Sequence, residues 1–224
     1  MPLCRPRAQA KRAPAGRPHG VRRLTASHRR DVQQGFSLIE VSIVTAIVLL
    51  IAIVGIPAIG SYIVENKVPK VGEELQRFVA RAKANAQGGG VAPYRNLHDG
   101  VLANALRDSS IFSVNGNDAS ATVAHGLGGN GSAGNGTISL APASFAGGGQ
   151  GSAFTLTLTN VNNAACPGLA SVMQRVSDII SVEGEGGPVV VKDSGASPSK
   201  DYDAMLAQAQ CARGDANTFV FTAR

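Results

Sequence analysis

The sequence predicts an α+β fold: a long, kinked N-terminal α-helix, membrane-spanning in its first half, packed on a small antiparallel β-sheet domain. Three observations predict it. The stretch from Phe36 to Tyr62 carries a single charge, Glu40. An amphipathic pattern follows directly, with Val71, Leu75, Phe78, Val79 and Ala82 recurring along one helix face. Beyond Gly88 the chain breaks into short alternating segments separated by glycine-rich patches, the pattern of strands joined by loops.

The 224 residues suit one globular unit with additional segments. The net charge of +6 is unevenly placed: nine of the 21 Lys and Arg residues precede Gly35, against one acid, Asp31. Phe36 to Arg224 holds the remaining twelve bases and fourteen acids, a balance of −2. Residues 1–35 are rich in Arg, Ala and Pro without apolar periodicity, so they read as a targeting leader rather than as part of the fold. A basic arm can hold nucleic acid electrostatically. Basic residues placed immediately before an apolar span instead keep that side of the chain in the cytoplasm. That adjacency favours the topological role, and no direct nucleic-acid binding is expected.

Residues 36–62 form the membrane half of the helix. Val41 to Gly60 is uncharged, and at about 1.5 Å per residue it covers a hydrocarbon core of about 30 Å. The run is longer than the apolar core of a secretory signal and lacks its small-residue ending, so retention is expected. Gly55 and Pro57 should kink or loosen the helix, and Pro69 should interrupt it again on the water side. Residues 63–87 form the amphipathic half, with Glu73, Glu74, Arg77, Arg81 and Lys83 off the apolar face. Gly88, Gly89 and Gly90 then stop the helix.

Residues 88–224 should form a globular domain outside the cytoplasm. Val101 to Arg107 reads as a short helix, and Thr137–Leu140, Phe154–Thr159, Val189–Val191 and Thr218–Thr222 read as strands. Cys166-Pro167 opens a segment in which Leu169, Val172, Met173, Val176, Ile179 and Ile180 share a helical face, with Pro167 suited to the first turn. Ala204 to Ala212 reads as another short helix. Glycine-rich patches at 88–90, 126–136 and 147–151 read as loops, and no period of 20 to 50 residues suggests a solenoid. Cys4 lies in the leader. Cys166 and Cys211 show neither CxxC spacing nor a histidine cluster, so no metal site is expected. In an exported domain they suggest one disulfide, stabilising by about 4 kcal/mol in the chain-entropy model. Two buried free thiols would be the cytosolic alternative.

Several signals carry little chemistry. Gly129 to Gly134 matches GxGxxG but precedes a predicted strand rather than a helix, which argues against dinucleotide binding. Arg213-Gly214-Asp215 could be an adhesive tripeptide but reads first as a turn beside Cys211. His98 and His125 stand apart from other ligand types, and Ser110 with His125 defines no triad without geometry. No catalytic residue and no cofactor is expected.

Gly35-Phe36-Ser37-Leu38-Ile39-Glu40, followed by the apolar run, resembles the processing site of type IV prepilins. The resemblance covers residues 33–62 and includes Pro57 and Tyr62, where related pilins carry a kinking proline and a tyrosine. The Cys166 and Cys211 pair bounding residues 166–211, together with the long leader, looks like type IVb pilins. Phe36 is more typical of the type IVa group, and Gln33-Gln34 replaces the basic residue often found before the glycine.

The resemblance implies cleavage by a prepilin peptidase after Gly35, N-methylation of Phe36, and subunit assembly through Glu40. It implies a precursor held once across the bacterial inner membrane with its N-terminus cytoplasmic, surrounded by lipid before assembly. The inner-membrane assembly machinery would then build it into an extracellular helical homo-oligomer, as a major or minor pilin used for adhesion, motility, aggregation or DNA transfer. The residues agree with this. Gly35 lets an extended backbone approach an enzyme closely, although a plain linker would also use glycine. Glu40 is costly in lipid unless paired, and the amine of Phe36 on a neighbouring copy would pair with it, unless Glu40 simply lies at headgroup depth. A pseudopilin of a type II secretion system and a membrane-anchored periplasmic domain remain the alternatives.

Overall fold

Residues 37–224 are described by the computed structural model; the leader, Gly35 and Phe36 lie outside the described residues. The described residues fall into two units, one ending at Thr45 and one running from Ala46 to Arg224. In the first unit the described residues open helix α1 (Leu38–Ala86), 49 residues without a break. Its first turn begins with Val41 N–H donating to Ser37 O at 3.1 Å.

In the second unit α1 continues through positions 57 and 69, so the interruption expected at Pro69 does not occur. Each proline removes one backbone donor, and the ladder on either side carries the helix across the gap. From residue 64 onwards one face becomes buried: Val68, Val71, Leu75, Phe78 and Val79 are all in the core. The helix ends at Ala86, just before the glycine triplet.

The buried face of α1 belongs to a core shared with a seven-stranded, wholly antiparallel sheet. Its strands are β1 (Ser113–Asn115), β2 (Thr122–Ala124), β3 (Thr137–Ala143), β4 (Ala153–Val161), β5 (Ile179–Gly184), β6 (Gly187–Asp193) and β7 (Asn217–Ala223). The spatial order is β1-β2-β3-β4-β7-β5-β6, which places the C-terminal strand in the middle. Alternate residues point into the core: Phe154, Leu156 and Leu158 from β4, Phe219 and Phe221 from β7, Ile180 and Val182 from β5. Full burial of such a side chain is worth about 1.5–3 kcal/mol each.

Three short helices complete the domain: α2 (Asp99–Leu106), α3 (Cys166–Met173) and α4 (Ala204–Ala209). The segment expected to be helical from Cys166 to Ile180 stops at Met173, and Ile179 and Ile180 lie in β5 instead. Lys192 explains part of the stop, since its ammonium donates to the carbonyls of Gln174 and Ser177 at 2.6 and 2.7 Å and holds the chain in a turn. Beyond that turn, Ile180 pairs with Phe221, and sheet pairing wins over the helical spacing. Strands β1 and β2 were not expected; at three residues each they carry too little alternation to read.

The stretch of β3 beyond its short pairing with β2, and the edge strand β6, are both blocked. On β3, Asp99 Oδ1 accepts from Leu140 N–H at 2.6 Å, Pro142 has no donor, and its carbonyl accepts from Gln150 Nε2 at 2.6 Å. On β6, Asp193 and Lys200 exchange backbone bonds of 2.8 and 2.7 Å, and Asp203 N–H donates to Val191 O at 3.0 Å. A strand edge capped in this way resists pairing with another chain.

Candidate functional site

Glu40 sits in the first turn of α1, in a shallow groove shared with Val41, Val44 and Thr45. The polar neighbours satisfy themselves within the helix: Ser42 Oγ donates to Ile39 O at 2.8 Å, and Thr45 Oγ1 lies 2.9 Å from Val41 O. Hydroxyls folded back in this way can enter lipid at small cost. Glu40 has no such carbonyl-seeking proton when ionised. Among the described residues the ion pairs are Arg77 with Glu73 and Glu74, and Lys83 with Asp178, all further along the chain. The predicted partner, the amine of Phe36, lies outside the described residues, as does the predicted cleavage position at Gly35.

Across the second unit, every Leu, Ile and Val from Ile47 to Ile63 is exposed; Ile53, at 75%, is typical of a side chain with no protein neighbour. Helix α1 is long and apolar enough to cross a membrane, and its most apolar window is unburied. Pro57 lies within this stretch of continuous helix. Tyr62 is exposed as well.

The amphipathic half is fixed by contacts with α3. A Cβ on Gly72 would collide with Val172, and one on Gly168 would come within 3.2 Å of Val68. The two helices therefore approach closely through reciprocal glycine and valine positions. Gln76 Nε2 donates to Val172 O at 2.6 Å across the same crossing.

Cys166 and Cys211 are joined in a disulfide with their Cα atoms 6.0 Å apart. The bond ties the first residue of α3 to the second residue beyond the end of α4, so the two helices are held as one element beside β6 and β7. Ser171 Oγ and Tyr202 Oη, 3.2 Å apart, add a second link across it. Asp203 caps α4 by accepting from Leu206 N–H at 2.9 Å.

The remaining sequence signals are absorbed into the fold. His98 caps α2, its Nδ1 accepting from Gly100 N–H at 3.1 Å. His125 is fully buried with both ring nitrogens bonded to backbone, at 3.0 Å to Leu127 N and 2.9 Å to Thr159 O, so it has no free nitrogen for a triad. The loop carrying Gly129 to Gly134 leads into β3, not into a helix. Asp215, the acid of the Arg213-Gly214-Asp215 turn, spends its carboxylate internally: Oδ2 accepts from Gly129 N–H at 2.9 Å and Oδ1 from Asn162 Nδ2 at 2.6 Å. An adhesive role would require breaking both bonds.

Two structural residues escaped sequence reasoning. Asn217 is fully buried and bridges Ala212 and Val161 through three hydrogen bonds. Gly72 looks like an ordinary interior glycine; its position on the apolar side, one residue from Val71, was the available signal.

Residues 117–224, which contain β2 to β7, α3, α4 and the disulfide, match the family described as PilS N terminal. The match takes in 108 residues, just under half of the chain. Among solved structures, the chain is similar to a type IVb pilin from Salmonella typhi, at 21% identity and a TM-score of 0.45, covering 68% of this chain and 97% of that one. It is also similar to TcpA, a type IV pilin from the El Tor biotype of Vibrio cholerae, at 12% identity and a TM-score of 0.44, covering 71% and 99%. No curated protein sequence matches it. The long N-terminal helix packed on an antiparallel sheet is the fold expected from the sequence.

Proposed function

We propose that this chain is a type IV pilin, made as an inner-membrane precursor, cut after Gly35 by a prepilin peptidase and N-methylated on Phe36. It is then polymerised through α1 into a type IV pilus by the assembly machinery of that membrane. The observation that carries the reading is the first half of α1. It is predominantly apolar and exposed, with Glu40 in its first turn as its single charge. A surface like this is stable in lipid or against other helices and not in water. The carboxylate adds direction. Alone in lipid it is unpaired, whereas the new amine of an adjoining copy offset along the axis can neutralise it. Identical subunits joined head to tail without closure give a helical fibre.

Export across the membrane accords with the Cys166–Cys211 bond, since disulfides persist in oxidising compartments. The blocked edge strand β6 and the blocked open stretch of β3 accord with dense packing of identical domains, which would otherwise invite edge-to-edge pairing.

Mass spectrometry of the protein purified from sheared surface filaments tests the proposal. The expected product begins at methylated Phe36 and contains the disulfide. An uncut precursor confined to membranes, or filaments lacking this chain, would overturn it.

A further inference from the structure

His125 follows β2 directly, and its ring is enclosed completely. Leu127 N–H donates to Nδ1 at 3.0 Å, which leaves the ring proton on Nε2, where it is donated to Thr159 O at 2.9 Å. One neutral tautomer satisfies both bonds, and no other protonation state does.

Those bonds sit at the root of the 126–136 loop, and the loop's other anchors follow from them. Leu127 O accepts from Asn162 N–H at 2.9 Å. Gly128 lies so close to Asn160 O and Asn162 N that a Cβ could not be placed there. Gly129 N–H reaches Asp215 at 2.9 Å. On the other side, Lys67 of α1 donates from Nζ to Gly126 O at 3.4 Å. The loop therefore touches β4, the turn before β7, and the amphipathic half of α1, with His125 at the junction.

We propose that His125 is a proton-operated latch: neutral, it holds the 126–136 loop on the sheet, and protonated, it releases the loop together with the loop's contact to Lys67 of α1. A proton on Nδ1 turns the acceptor into a donor facing the Leu127 N–H, so two donors oppose each other in a site without water access. The charged groups facing the ring from neighbouring elements are Asp215, before β7, and Lys67, on α1; β4 presents the neutral Thr159 carbonyl. Burial holds the imidazole below its ordinary value of 6.5, against the smaller opposing effects of the Thr159 carbonyl and the Asp215 carboxylate. Release consequently belongs to acidic surroundings, and the opened segment would be rich in glycine and asparagine.

Hydrogen–deuterium exchange on the full chain in detergent micelles tests the latch, with rates normalised to intrinsic exchange at each pH. Between about pH 7.5 and about pH 5, protection of the 124–136 segment should fall about tenfold or more, while β4 and β7 keep theirs. In His125→Gln the amide can accept from Leu127 and donate to Thr159 without titrating, so loop protection should not change with pH. Should the variant fail to fold, NMR titration of the wild-type ring decides: its protonation midpoint should coincide with loop opening to within about one pH unit. Unchanged wild-type protection at the acidic end overturns the proposal. So does the same loss in His125→Gln, or an opening that occurs away from the ring's midpoint.

Discussion

Gly72 of α1 faces Val172 of α3 so closely that a methyl group at residue 72 would overlap the valine side chain. The crossing is therefore set by the absence of a side chain, in a helix where glycine costs about 1 kcal/mol relative to alanine. Two opposed effects decide Gly72→Ala: the propensity gain, and an overpacking cost of about 1–3 kcal/mol. Val172 is β-branched with little rotamer freedom, and Gln76 Nε2 donates to its backbone carbonyl, so overpacking should win. Gly72→Ala should lower stability by about 1 kcal/mol, and Gly72→Val by more. Thermal melts of Gly72→Ala, Val172→Ala and the double variant check this. The pair should couple favourably, the second substitution relieving the first.

The disulfide joins residues 45 apart in sequence. A loop of that length constrains the unfolded chain by about 4 kcal/mol in the entropy model. Replacing both cysteines by serine should lower the denaturant midpoint of the domain accordingly and raise proteolysis first between residues 166 and 211, where α3 and α4 would part. Limited proteolysis with and without reductant measures it. Equal cleavage patterns in both would show that the two helices are held by packing alone.

Asn217 accepts from Ala212 N–H at 2.7 Å and donates to the carbonyls of Val161 and Ala212 at 3.0 Å each, without contact with water. Asn217→Leu keeps the size and leaves three backbone groups unsatisfied. Each such loss costs about 1–3 kcal/mol, so this substitution should be among the most damaging single changes in the domain. Asn217→Asp should be nearly as harmful, because it preserves the acceptor and turns both donor bonds into repulsive contacts. Expression and circular dichroism of the two variants distinguish this from a packing role, for which Asp and Leu would differ widely.

His125 also makes stability depend on pH, with a definite sign. Its value in the folded chain lies below the ordinary 6.5. Above 6.5 neither folded nor unfolded chain binds the proton, and the stabilisation is complete. As pH falls below 6.5, the unfolded chain takes the proton first and stability is lost, by at most about 1.4 kcal/mol per pH unit. Asp118, held low chiefly by Ser120, acts only below its ordinary 3.8, so the two windows do not overlap. Thermal melts from about pH 7.5 to about pH 5 should show a falling midpoint that flattens in His125→Gln. Equal slopes in both proteins would assign the dependence to other groups.

What could be read from the sequence was local. The apolar run, its lone carboxylate and the heptad-like face from Val71 to Ala82 each depend on residues within a few turns, so their periodicity survives into the structure. The cysteines were legible because few residue types bond covalently. Val176, Ile179 and Ile180 misled because their spacing suits a helix as well as a strand, and the deciding contact, Ile180 against Phe221, lies 41 residues away. Asp215 and Asp99 show the same limit at the level of single side chains. Each is recognisable as a turn or helix-start residue, but its partner, Gly129 or Leu140, is fixed only when the sheet assembles.

Glu40 offers the sharpest separation between folding and assembly. It lies in the first unit, whereas the buried core residues all belong to the second, so Glu40→Ala should leave the disulfide and the melting temperature of the domain unchanged. In lipid the alanine subunit is relieved of a carboxylate worth about 2.5–3.5 kcal/mol on insertion scales, which favours staying in the membrane. In the filament it has nothing to offer the neighbouring amine. Both effects act in the same direction, and surface filaments counted by electron microscopy should fall at least about tenfold, since 1.4 kcal/mol already gives that factor. Glu40→Gln should resemble alanine if charge pairing is what matters, and should retain filaments if a hydrogen bond suffices. Undiminished filaments from the alanine variant would remove Glu40 from assembly altogether, whatever the membrane level of the subunit.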